Sequence, residues 1–149
     1  MLLAAPLALT FGLSDGIGHA RLAGWYDDEE ELSLRLSWAV HPRVAIDAGI
    51  SENLERVEPG LHAGVRVRPL DLETAPWFYV RGDVALVGAS HLGSNYDLTA
   101  GAGAWHRLCP WAAVQVELDA VARVGELDTQ ALRLEAGVAI ASPAFWTHI

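Results

Sequence analysis

Between about Leu7 and Ile140 the chain alternates apolar and polar residues in eight separate runs. In Glu31–Val40 one register holds Leu32, Leu34, Leu36, Trp38 and Val40, and the other holds Ser33, Arg35, Ser37 and Ala39. A two-residue period sends these sets to opposite faces of a strand. The runs are Leu7–Asp15, Glu31–Val40, Arg43–Ser51, Leu61–Arg68, Trp77–Val87, Leu98–His106, Ala112–Val124 and Ala131–Ala141. Most have the roughly 9–11 residues that a tilted strand needs to cross a bilayer. The connections alternate as well. Polar, mostly acidic stretches (Gly16–Glu30, Glu52–Gly60, Gly88–Asp97, Gly125–Gln130) take turns with Pro-containing ones (His41-Pro42, Pro69–Pro76, Arg107–Pro110). Long loops at one end and tight turns at the other predict an all-β fold. The pattern fits an eight-stranded antiparallel up-and-down transmembrane β-barrel, a single domain over residues 1–149.

Alternation alone fits a barrel with either face inward, so the polar register has to decide. It carries Arg35, Asp47, Arg66, Arg68, Arg81, Asp83, Glu117, Asp119, Arg123, Arg133 and Glu135, six Arg against five carboxylates. It also carries Ser37, Gly49, Gly64, Gly101, Gly103 and Gly137. A closed eight-stranded lumen is just wide enough to be filled by side chains. Such a lumen needs small residues where it is crowded and paired charges elsewhere. On a soluble exterior the Gly would only weaken the strands. The polar face is therefore expected to form an ion-paired lumen, with lipid against the Leu and Val face.

Composition agrees. Of the 149 residues 52% are hydrophobic, yet the longest apolar run falls far short of the ~18 residues of a membrane helix. All ten basic residues are Arg, whereas soluble sheets coat their edges with Lys. The net charge of −9 leaves no basic stripe for nucleic acid. Subtracting a nearly balanced lumen puts that negative charge in the loops. Cys109 has no partner for a disulfide or a zinc site. Met1–Thr10 is apolar but lacks a positive n-region. It runs on into Phe11 and Leu13 as the first strand, so any export signal is expected outside this sequence.

The aromatics supply a second line of argument. Trp38, Trp77, Trp105, Trp111 and Trp146 lie beside the short turns or after the last strand; Trp25, Tyr26 and Tyr96 lie at the long-loop end. Two levels of aromatics predict girdles at the membrane interfaces.

Gly101-Ala-Gly-Ala-Trp-His-Arg-Leu-Cys-Pro-Trp111, followed by Val114-Gln-Val-Glu-Leu118, resembles the strand–turn–strand of OmpA-like outer-membrane barrels. Pro76-Trp-Phe-Tyr-Val-Arg-Gly-Asp-Val84 is similar to the Pro-aromatic strand opening of that family. The resemblance implies a bacterial outer-membrane location, contact with outer-membrane lipids and lipopolysaccharide, insertion by the barrel-assembly machinery, and a monomer. The end of the chain departs from the family pattern: Pro143 breaks the last strand, and Thr147-His148-Ile149 follow Phe145-Trp146.

Candidate chemistry is sparse. Ser90-His91 with Asp97, or Ser51 and Glu52 at another strand end, offer the residue types of a lipid A-modifying barrel enzyme. They do so without a motif, and a triad is defined by geometry. His62 is expected to face the lumen in a hydrogen-bonded structural role. Asp27-Asp-Glu-Glu-Glu31 reads as a solvated loop lacking an ordered cation-ligand pattern. The expectation is a non-enzymatic barrel with no cofactor, no metal and no catalytic residue. It would serve envelope structure or surface interaction, with at most minor passage of small solutes. The alternatives are a lipid A-modifying enzyme and a soluble lipocalin-like barrel with Leu, Val and Trp turned inward.

Overall fold

A computed structural model describes residues 5–16, 30–54, 57–69, 76–88, 95–125 and 129–148. The alternating runs form eight strands: β1 (Leu7–Gly16), β2 (Glu31–His41), β3 (Val44–Asn53), β4 (Glu58–Val67), β5 (Trp77–Val87), β6 (Asn95–Cys109), β7 (Ala112–Gly125) and β8 (Thr129–Ala141). Each pairs antiparallel with the next, and β8 closes onto β1. Several strands extend further toward the loop end than alternation predicted. The expected Glu52–Gly60 loop shrinks to residues 54–57, because Asn53 still pairs with Glu58. Two-residue turns, Pro42-Arg43 and Pro110-Trp111, join β2 to β3 and β6 to β7.

The register sets the shape of the barrel. Pro6 carbonyl accepts from Ala39 N–H. From Ala39 the ladder passes through Ala45, Arg66, Arg81, Gly101, Asp119 and Arg133, and it returns to the first strand at Gly16. One circuit thus climbs ten residues, from Pro6 to Gly16. With ordinary strand spacing and rise, that stagger implies a tilt of about 40° and a radius of about 8 Å. A ten-residue strand then rises about 25 Å along the axis.

The two registers separate cleanly. Phe11, Leu36, Ile50, Leu61, Val84, Leu98, Val116, Leu118 and Val138 all stand exposed on the outside, whereas Arg35, Asp47, Arg66, Arg81, Asp83, Glu117, Asp119, Arg133 and Glu135 are buried inside. This corrects the lipocalin-like alternative, which needed the Leu and Val face turned inward.

After β8 the chain does something the alternation gave no sign of. Ser142 leads into a short helix, α1 (Pro143–His148), that folds back into the turn end of the barrel. Ser142 Oγ accepts from Phe145 N–H at 3.3 Å, the geometry of an N-cap, with Pro143 at the first helical position. The same residue ties the helix to β1: its N–H donates to Leu7 carbonyl at 2.9 Å and its hydroxyl to Ala5 carbonyl at 2.5 Å. Phe145 and Trp146 enter a floor built from Ala8, Ala39, Ala45, Ala113, Ala139 and Ala141. Five strands contribute only a methyl group at this level, which leaves room for the rings.

Candidate functional site

The lumen contains three layers. At its centre lies Glu117 on β7, wholly buried at 0% exposure. Its Oε1 accepts from Arg81 Nη1 at 2.6 Å and from Arg35 Nη1 at 3.2 Å, and its Oε2 accepts from the Tyr79 hydroxyl at 2.6 Å. Glu135 lies directly opposite on β8, where two carboxylates alone would repel. Arg35 lies between them and also donates to Glu135 Oε2. Gln115 Nε2 donates to Glu135 Oε1 at 2.8 Å, and Gln115 Oε1 accepts from Trp105 Nε1 at 2.8 Å. Asp119 reaches Arg81 Nε only at 3.9 Å.

Below this layer Arg66 pairs with Asp47 at 3.0 Å. The pair is coulombic rather than aligned as a hydrogen bond, because the Arg66 guanidinium spreads over two rings. It lies 4.6 Å from the Tyr79 centroid and 4.5 Å from that of Trp105, an arrangement in which the ring faces attract the cation. Trp105, Phe145 and Trp146 meet edge-to-face, and Trp146 stacks on Trp77 at 5.3 Å. Arg68 follows the last residue of β4 and is half-buried beside this aromatic floor.

Above the centre, toward the loops, Arg123 makes a two-pronged contact with Asp97 at 2.8 and 3.1 Å and lies 3.6 Å from Glu58. Arg133 pairs with Glu31 at 3.3 Å. Asp83 forms an ion pair with Arg81 at 3.3 Å and also faces His62 Nδ1 at 3.3 Å, and His62 Nε2 lies 2.6 Å from Ser51 Oγ.

Every lumen residue named from the sequence lies inside the barrel or at its turn-end mouth. The reading nevertheless undercounted the acids: Asp97, Glu31 and Glu58 also pair with lumen Arg. The lumen therefore leans acidic, and the expected balance of charge is corrected accordingly. Tyr79, Gln115 and His62 complete the polar layers. Parity was the available signal for all three, since each shares a register with the predicted charges.

Parity also corrects the girdle. Trp38 and Trp111 stand outward at 54% and 59% exposure, with Tyr96 outward at the loop end. Trp105 and Trp146 are 2% and 5% exposed, and Trp77 packs against the same buried cluster. Trp77 shares its register with Tyr79 and Arg81, and Trp105 with Gly101 and Gly103, so both had to point inward. Proximity to a turn is not orientation. Trp25, Tyr26, Ser90, His91 and Asp27–Glu29 lie outside the described residues.

Among the described residues, packing leaves little open volume inside the barrel. The charged layer retains about 10 Å³ of space, roughly one water, and the aromatic floor another 10 Å³. Glu117, Asp119 and Glu135 are the one carboxylate group among the described residues close enough to share a cation. The guanidinium groups of Arg35 and Arg81 already stand against those oxygens.

No protein-family model and no curated protein matches this sequence. Among solved structures, a chain from the de novo design of transmembrane β-barrels shares the fold. Its TM-score is 0.68 at 18% identity, over 91% of this chain and 93% of that one. The likeness is one of fold, and the OmpA-like resemblance stands without a family match.

Proposed function

We propose that this protein is a membrane-spanning β-barrel of the bacterial outer membrane, with a packed, closed lumen, serving envelope structure or surface interaction. One observation carries the reading: every strand presents large apolar side chains outward, and β2 to β8 each bury at least one charged residue inside. Exposed apolar area on this scale is untenable in water, and in lipid it is what a barrel requires. The strand rise of about 25 Å fits the apolar band of such barrels. Outer-membrane lipids and lipopolysaccharide are its surroundings, the barrel-assembly machinery its route of insertion, and a monomer its state.

The folded protein should need detergent for solubility and should migrate faster on a cold gel than after boiling. Solubility without detergent, or a single band under both conditions, would refute the membrane reading. Planar bilayers test the lumen separately. A filled barrel gives no steady conductance, and a large constant current would overturn the closed lumen while leaving the membrane assignment intact.

A further inference from the structure

We propose that the turn-end mouth of the barrel binds a phosphate group, with the buried Arg66 at its base and further arginines around the opening. Helix α1 packs against β1 and β2. Across the lumen from it a cleft remains between β3 and β6, lined by Arg43, Arg66, Arg68, Trp77, Tyr79 and Trp105. Arg66 is only 2% exposed. Its Nη2 stands against Asp47, but its Nε and Nη1 are buried with no acceptor. The Tyr79 and Trp105 rings flank the guanidinium, so a further partner has to meet it at its edge. A buried donor left without an acceptor is costly, and a ligand oxygen in the cleft supplies one.

The rim is built from three strands or strand ends. Arg68 N–H donates to the Arg43 carbonyl at 2.9 Å, which sets the two residues side by side where β3 and β4 meet the turns. Arg107, near the end of β6, stands over the Trp77 ring at 5.3 Å. Arg43, Arg68 and Arg107 each lie two residues beyond an inward side chain (Ala45, Arg66 and Trp105), so they share its side of the wall. Arg43 and Arg107 are exposed and Arg68 is half-buried. Among the described residues at this end Asp47 is the one carboxylate. A chain with a net charge of −9 therefore turns locally positive here, which draws an anion to the opening.

Size and shape select the anion. The enclosed part of the cleft holds about 10 Å³, room for a single oxygen-sized atom. A tetrahedral phosphate can place one oxygen there, against Arg66, and keep three for the rim. A carboxylate keeps only one, and a halide none. Arginine forks suit phosphate oxygens for the same reason. The site needs only the barrel as described; the membrane reading bears on whether the phosphate belongs to a solute or to a lipid headgroup.

The test uses the full chain folded in maltoside micelles, which carry no phosphate, with folding read by cold-gel migration. Inorganic phosphate and dihexanoyl phosphatidic acid are titrated separately by calorimetry. One-to-one binding that persists in added sodium chloride is expected, because a buried contact is screened far less than a surface one. Binding of inorganic phosphate supports the site with a water-borne ligand; binding of the phosphatidic acid alone supports it with a lipid headgroup. Arg66→Gln should abolish binding, and Arg107→Gln should weaken it about tenfold through the loss of charge-assisted hydrogen bonds. Acetate should bind about tenfold more weakly than phosphate for want of rim contacts. Folded protein that binds neither phosphate compound overturns the site, as does unchanged affinity in Arg66→Gln or, where that variant does not fold, in Arg107→Gln. Equal affinity for acetate overturns the assignment to phosphate. Asp71 and Glu73 of the β4–β5 connection are the chain's own rival anions: binding that appears only after Asp71→Asn with Glu73→Gln overturns an external ligand. Solubility without detergent would sink the membrane reading and leave every one of these titrations decisive.

Discussion

Glu117 is the residue on which the lumen's hydrogen bonds converge. Arg35, Arg81 and Tyr79 all donate to it, and the charged layer around it retains only about 10 Å³ of open space among the described residues. Removing one partner of a buried pair leaves charge uncompensated and costs about 3–5 kcal/mol. Glu117→Leu should therefore lower unfolding stability by about that amount in urea titrations of the micelle-folded barrel. Glu117→Gln keeps an acceptor and should cost less. Equal losses would mean that shape rather than charge holds this layer. Gly103 makes a different demand. A Cβ there would stand 2.6 Å from the Tyr79 hydroxyl and 2.7 Å from Val116 carbonyl. Gly103→Ala should thus destabilise by about 1–3 kcal/mol in the same titration, the usual cost of overpacking.

At the scale of elements, α1 acts as a stopper whose seat is built by other strands. Ser142 holds its start, and the alanines of β1, β2, β3, β7 and β8 make its cavity. Trp146 stacks on Trp77 and meets Trp105 and Phe145 edge-to-face. Truncating a buried aromatic costs about 3–5 kcal/mol, so Trp146→Ala should unfold at clearly lower urea. It should also admit small currents in planar bilayers where the wild type admits none. An unchanged midpoint with no current would show that the floor is closed without α1. Little of this element was legible beforehand. Pro143 looked like a strand breaker, and Phe145-Trp146 looked like interfacial anchors. A six-residue helix carries too little periodicity to announce itself.

At the scale of the whole molecule, a closed barrel with charges inside and apolar side chains outside leaves the bilayer as its natural solvent. Leu118 stands outward near the middle of β7. A charged residue facing lipid at the midplane costs about 2–4 kcal/mol, so Leu118→Arg should lower stability in vesicles by about that amount. The same substitution on a water-facing surface would be almost neutral, and a neutral result would count against the membrane reading.

Strand number, pairing direction and the identity of the inward face followed from the sequence alone. The two-residue period is a local property of the backbone, and each register carries its own chemistry. His62, Tyr79 and Gln115 were readable in the same way, because parity alone turns a side chain inward. Partner choice was not readable. That Arg35 joins Glu117 to Glu135, that Arg66 lies over Tyr79 and Trp105, and that Ser51, His62 and Asp83 align across three strands all depend on the stagger. One circuit climbs ten residues, and that offset decides which inward positions share a level. It arises only when β8 closes onto β1, a contact between the two ends of the chain that no local pattern encodes.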